Sequence, residues 1–381
     1  MPFTFTRPVA AIRVGILTIK EKWEKMLGQS AAYHTEDYLS EKFPSAIFKD
    51  NLLINGAVCP DLVLVKAIQT LKKGEALSKG AFLIAACAEE YVSLDPSRFK
   101  TKEYRENVTL IDQVWKIFQY NGAQIRSDFE LITNHRNSAR LEDPHSKIYA
   151  PENIFIEEGA VIQAAILNAM TGPIYIGKNT QVQEGSIMRG PFALGEGSIV
   201  NMGAKIRGDV SVGPHCKVGG EISTAVIFGF SNKVHDGFLG SSVIGEWCNL
   251  GADTNTSNLK NNYDPVKLWS YKKKGFQDTG LTFCGLMMGD YSKCGINTMF
   301  NTGTVTGVSA NIYGAGYPRN FIPSFAWGGT AGFSTFQLAK VFETAAKAME
   351  RRNVVLSEDD KKILSAVFEL TASERVWETK K

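Results

Sequence analysis

The chain has 381 residues, more than one hydrophobic core usually serves, so we expect two structural units. Its 44% hydrophobic content is ordinary for a globular protein, and a formal net charge of +3 is too small to indicate a nucleic-acid or membrane partner. The six cysteines form no C-x-x-C pair, and no apolar run approaches the length of a membrane span. These features argue against a disulfide framework or a zinc site and predict a cytoplasmic protein.

The first part of the chain, residues 1–140, predicts an α/β domain. Helical stretches alternate there with short apolar runs at 51–55 and 81–86, and such alternation is typical of layered α/β structure. A helical pattern at 110–118 follows, and the stretch 133–144 is polar. We therefore place the domain boundary in that polar stretch.

A six-residue repeat dominates the middle of the chain. From Ile176 an aliphatic residue falls on every sixth position: Ile176, Val182, Met188, Leu194, Val200, Ile206, Val212 and Val218. This period matches neither a helix nor a simple strand and is the signature of hexapeptide repeats, in which three repeats make one triangular turn. The sequence therefore predicts a left-handed parallel β-helix over 145–330.

The repeat slips and resumes further along the chain. The six-residue spacing returns at Phe238, Ile244, Leu250 and Thr256, and then at Met288, Cys294, Phe300, Thr306 and Ile312. Residues 257–281 interrupt them with Asn-Asn, Tyr-Asp-Pro and Lys-Lys-Lys, which predicts a polar loop. An insertion of this length on a regular scaffold is often functional.

The C-terminal part, residues 331–381, predicts two helices. The first runs over about 334–352 with Ser334 or Thr335 as its N-cap, and the second opens at Ser357. We expect these helices to pack on the β-helix or on a neighbouring subunit.

His235 is the candidate catalytic residue, because it lies where the repeat phase slips. An imidazole with a pKa near 6.5 can accept a proton at neutral pH, as acylation of an amine by a thioester requires. The repeats hold one other histidine, His215. A zinc enzyme of the γ-carbonic-anhydrase type needs three histidines on its metal, so that alternative is poorly supported. A structural role for His235 at a corner remains the other alternative.

From His235 onward the sequence resembles the acetyltransferase half of the bifunctional UDP-N-acetylglucosamine pyrophosphorylase/glucosamine-1-phosphate N-acetyltransferases. The matching residues are His235, Phe238-Leu239-Gly240, Ile244-Gly245 and 249–254, with 204–207 upstream and 2–10 and 17–24 at the start of the chain. The resemblance covers nearly the whole chain. The chain looks like a divergent branch with a short nucleotidyltransferase domain, since it begins after the point where the family's first strand and upstream arginine lie.

The resemblance implies a role for each matching position. His235 would be the general base, Arg207 would bind the sugar phosphate, and Asn258 would hydrogen-bond the sugar or the acetyl carbonyl. Phe238 and Tyr263 are the other candidate sugar contacts, Tyr263 because the loop segment 261–264 could supply contacts that the family's residues make elsewhere. Asn249 and Ala252 would lie near acetyl-CoA, although asparagines also commonly occupy the corners and ladders of such coils. Arg7 and Arg13 are the remaining candidates for nucleotide phosphate contact.

Three positions depart from the family's pattern. Ser223 replaces the phosphate-binding lysine, Phe238 lacks the aromatic hydroxyl, and Leu259 replaces a tyrosine. The lysines that could substitute are Lys205, Lys217, Lys233 and Lys260.

The family also implies the partners of the protein. They are a homotrimer with its ligands in the clefts between subunits, acetyl-CoA and an amino-sugar phosphate as substrates, and UTP with Mg²⁺ if the N-terminal half is active. The leading hypothesis is acetyl-CoA-dependent N-acetylation of glucosamine-1-phosphate. The alternative is a non-catalytic trimeric scaffold or nucleotide-sugar-binding protein.

Overall fold

A computed structural model describes residues 1–46, 48–88 and 95–378. By their internal contacts they divide into two units. The larger unit comprises Met1–Thr6, Arg13–Ile16 and Val114–Lys381, and the smaller one comprises Arg7–Ile12 and Leu17–Gln113. The α/β region, the parallel β-solenoid and the C-terminal helices that the sequence predicts are all present. The domain ranges 1–140, 145–330 and 331–381 stay predictions.

The smaller unit contains one four-stranded sheet. Its strands, in spatial order, are Asn51–Ile54, Phe82–Ala88, Glu75–Lys79 and Lys100–Glu103. A two-stranded pair joins Val58–Cys59 to Thr109–Leu110, and the α-helices are Ile19–Leu27, Asp37–Ser40 and Leu62–Gln69. Asp61, which follows the predicted strand region, caps the last of these helices by accepting a hydrogen bond from the N–H of Leu64 at 2.8 Å.

The six-residue spacing is confirmed as the core of the solenoid. All eight residues from Ile176 to Val218 are at most 2% exposed. Neighbouring turns pair in parallel, with Ile176 opposite Leu194 and Val182 opposite Val200. Each turn therefore stacks the same interior position on the one before, which is why burial repeats along the sequence.

Three parallel faces form the solenoid. The first contains Lys147–Tyr149, Ile166–Asn168, Ile187–Arg189, Lys205–Ile206 and the first halves of Glu221–Ile227 and Phe238–Ile244. The second contains Val161–Ile162, Gln181–Val182, Ile199–Val200, Lys217–Val218, Asn232–Lys233, Asn249–Leu250, Lys293–Cys294, Asn311–Ile312 and Ala326–Gly329. The third contains Ile154–Ile156, Ile174–Ile176, Phe192–Leu194, Val210–Val212, the second halves of the two long strands, Met287–Met288, Val305–Thr306 and Phe321–Ile322. A separate pair, Asn255–Thr256 with Met299–Phe300, follows the first face.

The slip in the repeat moves one predicted interior residue outward. The expected interior position, Phe238, is only half-buried, whereas Leu239 is fully buried opposite Ile222. Lys233 pairs with Val218 and so takes the next interior position on the second face. The solenoid turn from Val218 to Lys233 is shorter than a regular turn. The hydrogen-bonding register of the backbone therefore decides which side chain points inside, and a count along the sequence does not.

The insertion at 257–281 contains a β-hairpin where a loop was expected. Its strands Lys267–Ser270 and Gly275–Asp278 pair antiparallel. Trp269 lies opposite Phe276 with their ring centroids 5.6 Å apart, and Leu268 is buried. Cross-strand aromatic contacts and this buried apolar residue stabilise the hairpin, while the lysine run occupies its turn.

The C-terminal helices run over Leu338–Glu350 and Glu358–Leu370. The predicted start of the first at Ser334 or Thr335 is wrong, because Gly332–Thr335 is a strand that pairs with Ala326–Gly329. The second helix begins as predicted, with Ser357 as its N-cap. The ring of Phe368 contacts that of Phe325 on the solenoid at 4.9 Å, so this helix packs on the coils. No helix in the described parts of the chain is long and apolar enough to cross a membrane.

Ser357→Ala should lower the free energy of unfolding by about 1 kcal/mol, because it removes an N-cap. Ser357 Oγ accepts from the N–H of Asp360 at 3.1 Å and donates to that residue's carboxylate at 2.7 Å. Chemical denaturation measures the loss, with Ser30→Ala as a control at an exposed serine outside any helix. Equal stability of the Ser357 variant and the wild type would contradict the assignment.

Two helices, Val114–Gln119 and Asn121–Thr133, join the N-terminal segment to the solenoid within the larger unit. Asn121 is fully buried, and its Oδ1 accepts from the N–H of Gly15 at 2.8 Å and from Ser211 Oγ at 2.9 Å. Its Nδ2 donates to the carbonyl of Asp209 at 2.9 Å. One amide side chain therefore connects three separate segments of the chain.

Candidate active site at a solenoid corner

His235 lies in the turn that leaves the second face after Asn232–Lys233, and its side chain is exposed. The turn ends at Gly237, where φ is +110° and a Cβ atom would lie 2.2 Å from the carbonyl oxygen of Thr254. Only glycine fits there, because both the backbone conformation and the close approach of the next turn exclude a side chain. The backbone on the C-terminal side of His235 is thus tightly constrained.

Lys233 holds the same turn from inside the solenoid. Its side chain is 3% exposed, and its Nζ donates to the carbonyls of His235 at 2.6 Å and Asp236 at 3.2 Å. Burial lowers the pKa of Lys233 to about 8, although the nearby carboxylates of Asp236 and Asp253 oppose this shift. Lys233 is therefore not a substitute phosphate ligand, because its ammonium is directed at main-chain carbonyls. The sequence hides this role, since Lys233 enters the core only through the shortened turn.

Phe238 and Asn258 meet over Gly240 on the first face. A Cβ atom at Gly240 would lie 2.4 Å from Phe238 Cζ and 2.7 Å from Asn258 Nδ2. Asn258 donates to Ser241 Oγ at 3.2 Å, and the N–H of Phe238 donates to Asn255 Oδ1 at 2.8 Å. The structure therefore brings together two of the predicted sugar contacts.

Arg207 directly follows Lys205–Ile206 on the same face, two strands away from the strand that begins at Phe238. Its N–H donates to the carbonyl of Ile222 at 2.9 Å, and Ser223, the next residue, pairs with Gly240. The guanidinium of Arg207 is exposed and forms an ion pair with Glu221 at 2.9 Å. Exposed pairs of this kind contribute about 0–1 kcal/mol, so the arginine can exchange its partner at little cost.

Asn249 belongs to a ladder on the second face. Its Oδ1 accepts from Asn232 Nδ2 at 3.4 Å, and Arg352 from the C-terminal region donates to Asn232 Oδ1 at 2.9 Å. Ala252 lies one turn above His235 at the same corner. Asn232 pairs with Asn249, and His235 and Ala252 each lie three positions after one of these paired residues. The ladder gives Asn249 a structural role whether or not it binds a ligand.

The remaining predicted residues lie elsewhere. Tyr263 is exposed in the insertion, and among the described residues no hydrogen bond or ring contact joins it to Phe238 or Asn258. Arg7 is buried in the smaller unit, whereas Arg13 belongs to the larger one, where its guanidinium donates to the carbonyl of Ile16. Their roles toward a nucleotide stay predictions.

His215 occupies a different corner from His235. It follows the third face and stacks on Phe230 at 5.1 Å, and Phe230 in turn stacks on Trp247 at 4.3 Å. The side chain of His215 therefore has a packing role in this stack of rings. Within the described ranges, no group of three or more His, Cys, Asp or Glu side chains is arranged to hold a metal ion.

Comparison with known proteins finds a family match in the N-terminal region. Residues 1–137 match the family described as Sugar nucleotidyl transferase. Part of the chain is also similar to the Bifunctional protein GlmU of Methanocaldococcus jannaschii, at 34% identity over 87 residues. That match spans 23% of this chain and 21% of the length of the curated relative.

Among solved structures, the polySia specific acetyltransferase NeuO is similar over 61% of this chain and 98% of its own length, at 16% identity and a TM-score of 0.30. The Arabidopsis UDP-N-acetylglucosamine acyltransferase is similar over 61% of this chain and 81% of its own length, at 14% identity and a TM-score of 0.25. At these TM-scores the likenesses carry no argument about the activity of this chain.

Proposed function

We propose that the solenoid transfers an acetyl group from acetyl-CoA to the amine of an amino-sugar phosphate, with glucosamine-1-phosphate as the acceptor. The observation that carries the proposal is the exposed imidazole of His235 on a turn fixed from both sides, by Lys233 within the solenoid and by Gly237 against the next turn. A fixed backbone with a free imidazole is the arrangement that a general base requires.

The chemistry follows from the residues around that corner. The amine nitrogen attacks the thioester carbon, a C–N bond forms, and His235 takes the proton that the amine loses. Collapse of the tetrahedral intermediate breaks the C–S bond, and the thiolate of CoA leaves and is protonated. Arg207 would bind the phosphate through its planar guanidinium, and Asn258 would donate to a sugar hydroxyl or to the acetyl oxygen.

The cleft would form between subunits. A solenoid surface is convex, so a pocket deep enough for acetyl-CoA arises most readily where two solenoids meet, and we propose a homotrimer with Asn249 and Ala252 beside the cofactor. Tyr263, on the exposed insertion, would reach into such a cleft.

The N-terminal region would add a second reaction. Its match to sugar nucleotidyl transferases supports uridylyl transfer from UTP to the N-acetylated sugar phosphate, with Arg7 and Arg13 as candidate phosphate contacts. Mg²⁺ would be required for this step alone, where it would neutralise the phosphate charge.

The decisive experiment measures free CoA thiol released by the purified protein with acetyl-CoA and glucosamine-1-phosphate. We expect release that depends on the amino sugar phosphate, with N-acetylglucosamine-1-phosphate as the matched acceptor lacking a free amine. No release with any amino-sugar phosphate would overturn the proposal. It would instead favour a non-catalytic trimeric scaffold or nucleotide-sugar-binding role, for which Ser223 in place of the family's lysine is the supporting observation.

Lys233→Met should lower kcat for acetyl transfer about tenfold and leave KM nearly unchanged. Methionine fits the aliphatic interior of the solenoid, but it removes both hydrogen bonds to the turn that carries His235. Steady-state kinetics and a thermal melt measure the two effects, and Lys147→Met, at an exposed lysine near the start of the first face, is the control. A variant that melts at a much lower temperature, with activity lost in proportion, would show Lys233 to be merely structural.

A further inference from the structure

A cavity of about 730 Å³ lies at the C-terminal end of the larger unit, away from the His235 corner. Its walls come from the hairpin, the last solenoid turn and the segment after the final helix, and they include Trp269, Lys274, Arg319, Phe321, Glu374 and Trp377. This volume is typical of a small-molecule site. The second face places Thr330, which also lines the cavity, four turns beyond His235 at the same corner. At about 4.8 Å per turn, Thr330 and His235 are about 19 Å apart along the solenoid.

Two buried polar atoms belong to residues that line this cavity. Trp269 Nε1 and Glu374 Oε2 are buried, and neither has a hydrogen-bond partner among the described residues. A buried polar group without a partner costs about 1–3 kcal/mol, so the two together favour a ligand that satisfies them.

The lining also specifies the ligand's chemistry. Trp269 and Phe321, whose rings stack on each other at 4.3 Å, line the cavity together with Trp377, so its lining is aromatic and suited to a ring. Lys274 and Arg319 supply positive charge suited to a phosphate. Burial raises the pKa of Glu374 to about 7, with Lys274 and Arg375 opposing the shift, so near neutral pH its carboxyl can donate as well as accept a hydrogen bond.

From this geometry we infer that the cavity binds a phosphorylated ring compound that carries hydroxyl groups. The ring lies against Trp269 and Phe321, the phosphate meets Arg319 and Lys274, and hydroxyl groups pair with Trp269 Nε1 and Glu374. Sugar phosphates and nucleoside monophosphates share this chemistry. The site is separate from the acetyl-transfer corner and does not depend on that activity.

Isothermal titration calorimetry on the full-length protein tests the inference. N-acetylglucosamine-1-phosphate represents the sugar phosphates and UMP the nucleotides, and inorganic phosphate is the control without a ring. We expect one of the two ring compounds to bind with at least tenfold higher affinity than phosphate, and the preferred compound identifies the source.

Two variants test whether the compound binds in this cavity. Arg319→Gln removes the phosphate contact, and Trp269→Phe removes the Nε1 donor while keeping an aromatic face. Each should raise Kd at least tenfold, whereas Arg351→Gln, an exposed arginine outside the cavity, and Arg207→Gln should not.

Three outcomes would overturn the inference. They are no binding by either ring compound, affinity unchanged in a correctly folded Trp269→Phe or Arg319→Gln variant, and loss of the same binding in Arg207→Gln. The last result would assign the ligand to the His235 corner, and it would leave the proposed acetyl transfer intact. Absence of CoA release with binding retained would remove the proposed function and leave this site in place.

Discussion

His235→Ala should lower kcat for acetyl transfer by about 10²–10⁴-fold, the usual contribution of general acid–base catalysis. The imidazole is exposed on a turn that Lys233 and Gly237 hold in place, so its removal deletes the base without disturbing the core. Steady-state release of CoA thiol measures the effect. The melting temperature should stay close to that of the wild type, because an exposed side chain contributes little to stability.

His145→Ala is the matched control, since His145 is likewise an exposed histidine in the larger unit. Its kcat should equal that of the wild type. If His235→Ala kept full activity, the base would have to be another group and the His235 corner would lose its assignment. If both variants lost activity equally, the cause would be general to the protein and not specific to His235.

Asn121→Ala should lower the free energy of unfolding of the larger unit by about 3 kcal/mol or more, since it breaks a fully buried network of three hydrogen bonds. The substitution leaves the N–H of Gly15, the hydroxyl of Ser211 and the carbonyl of Asp209 without this partner. Chemical denaturation measures the total. Hydrogen exchange at the Gly15 amide measures the local effect and should become faster.

Asn137→Ala provides the comparison, because Asn137 is exposed and should change stability by less than about 0.5 kcal/mol. An Asn121 variant that stays within that range, with unchanged exchange at Gly15, would refute the role of the asparagine. The helix 121–133 and the segment 13–16 would then be held together mainly by apolar packing and by Asp128, which accepts from the N–H of Ile16 at 2.8 Å.

Several residues of the candidate site could be selected from short stretches of the sequence. His235 stands out as one of two histidines in the repeats, and in the structure its side chain lies exposed at a corner, while its catalytic role stays a prediction. Asn258 and Phe238 also come together, although they are twenty residues apart in the sequence. Tyr263 shows the opposite case, because residues in an insertion have no repeat register to place them.

Side chains placed by the slip in register could not be predicted. Phe238 was expected inside and lies half-buried on the first face, whereas Lys233 was offered as a phosphate ligand and instead holds carbonyls from within the core. Both depend on the length of one short turn. That length is set by how the backbones of neighbouring turns hydrogen-bond, which a count of residues does not contain.

The sequence by itself determined the solenoid, because each turn buries one residue per face against its neighbours and the same requirement returns every six positions. It also determined the start of the last helix, where Ser357 and Asp360 cap each other locally. Only the tertiary structure decided the aromatic cavity, whose walls come from the hairpin, the last turn and the C-terminal segment. Residues such as Trp269 and Glu374 are far apart in the chain and share no period, so only the folded backbone brings them to one cavity.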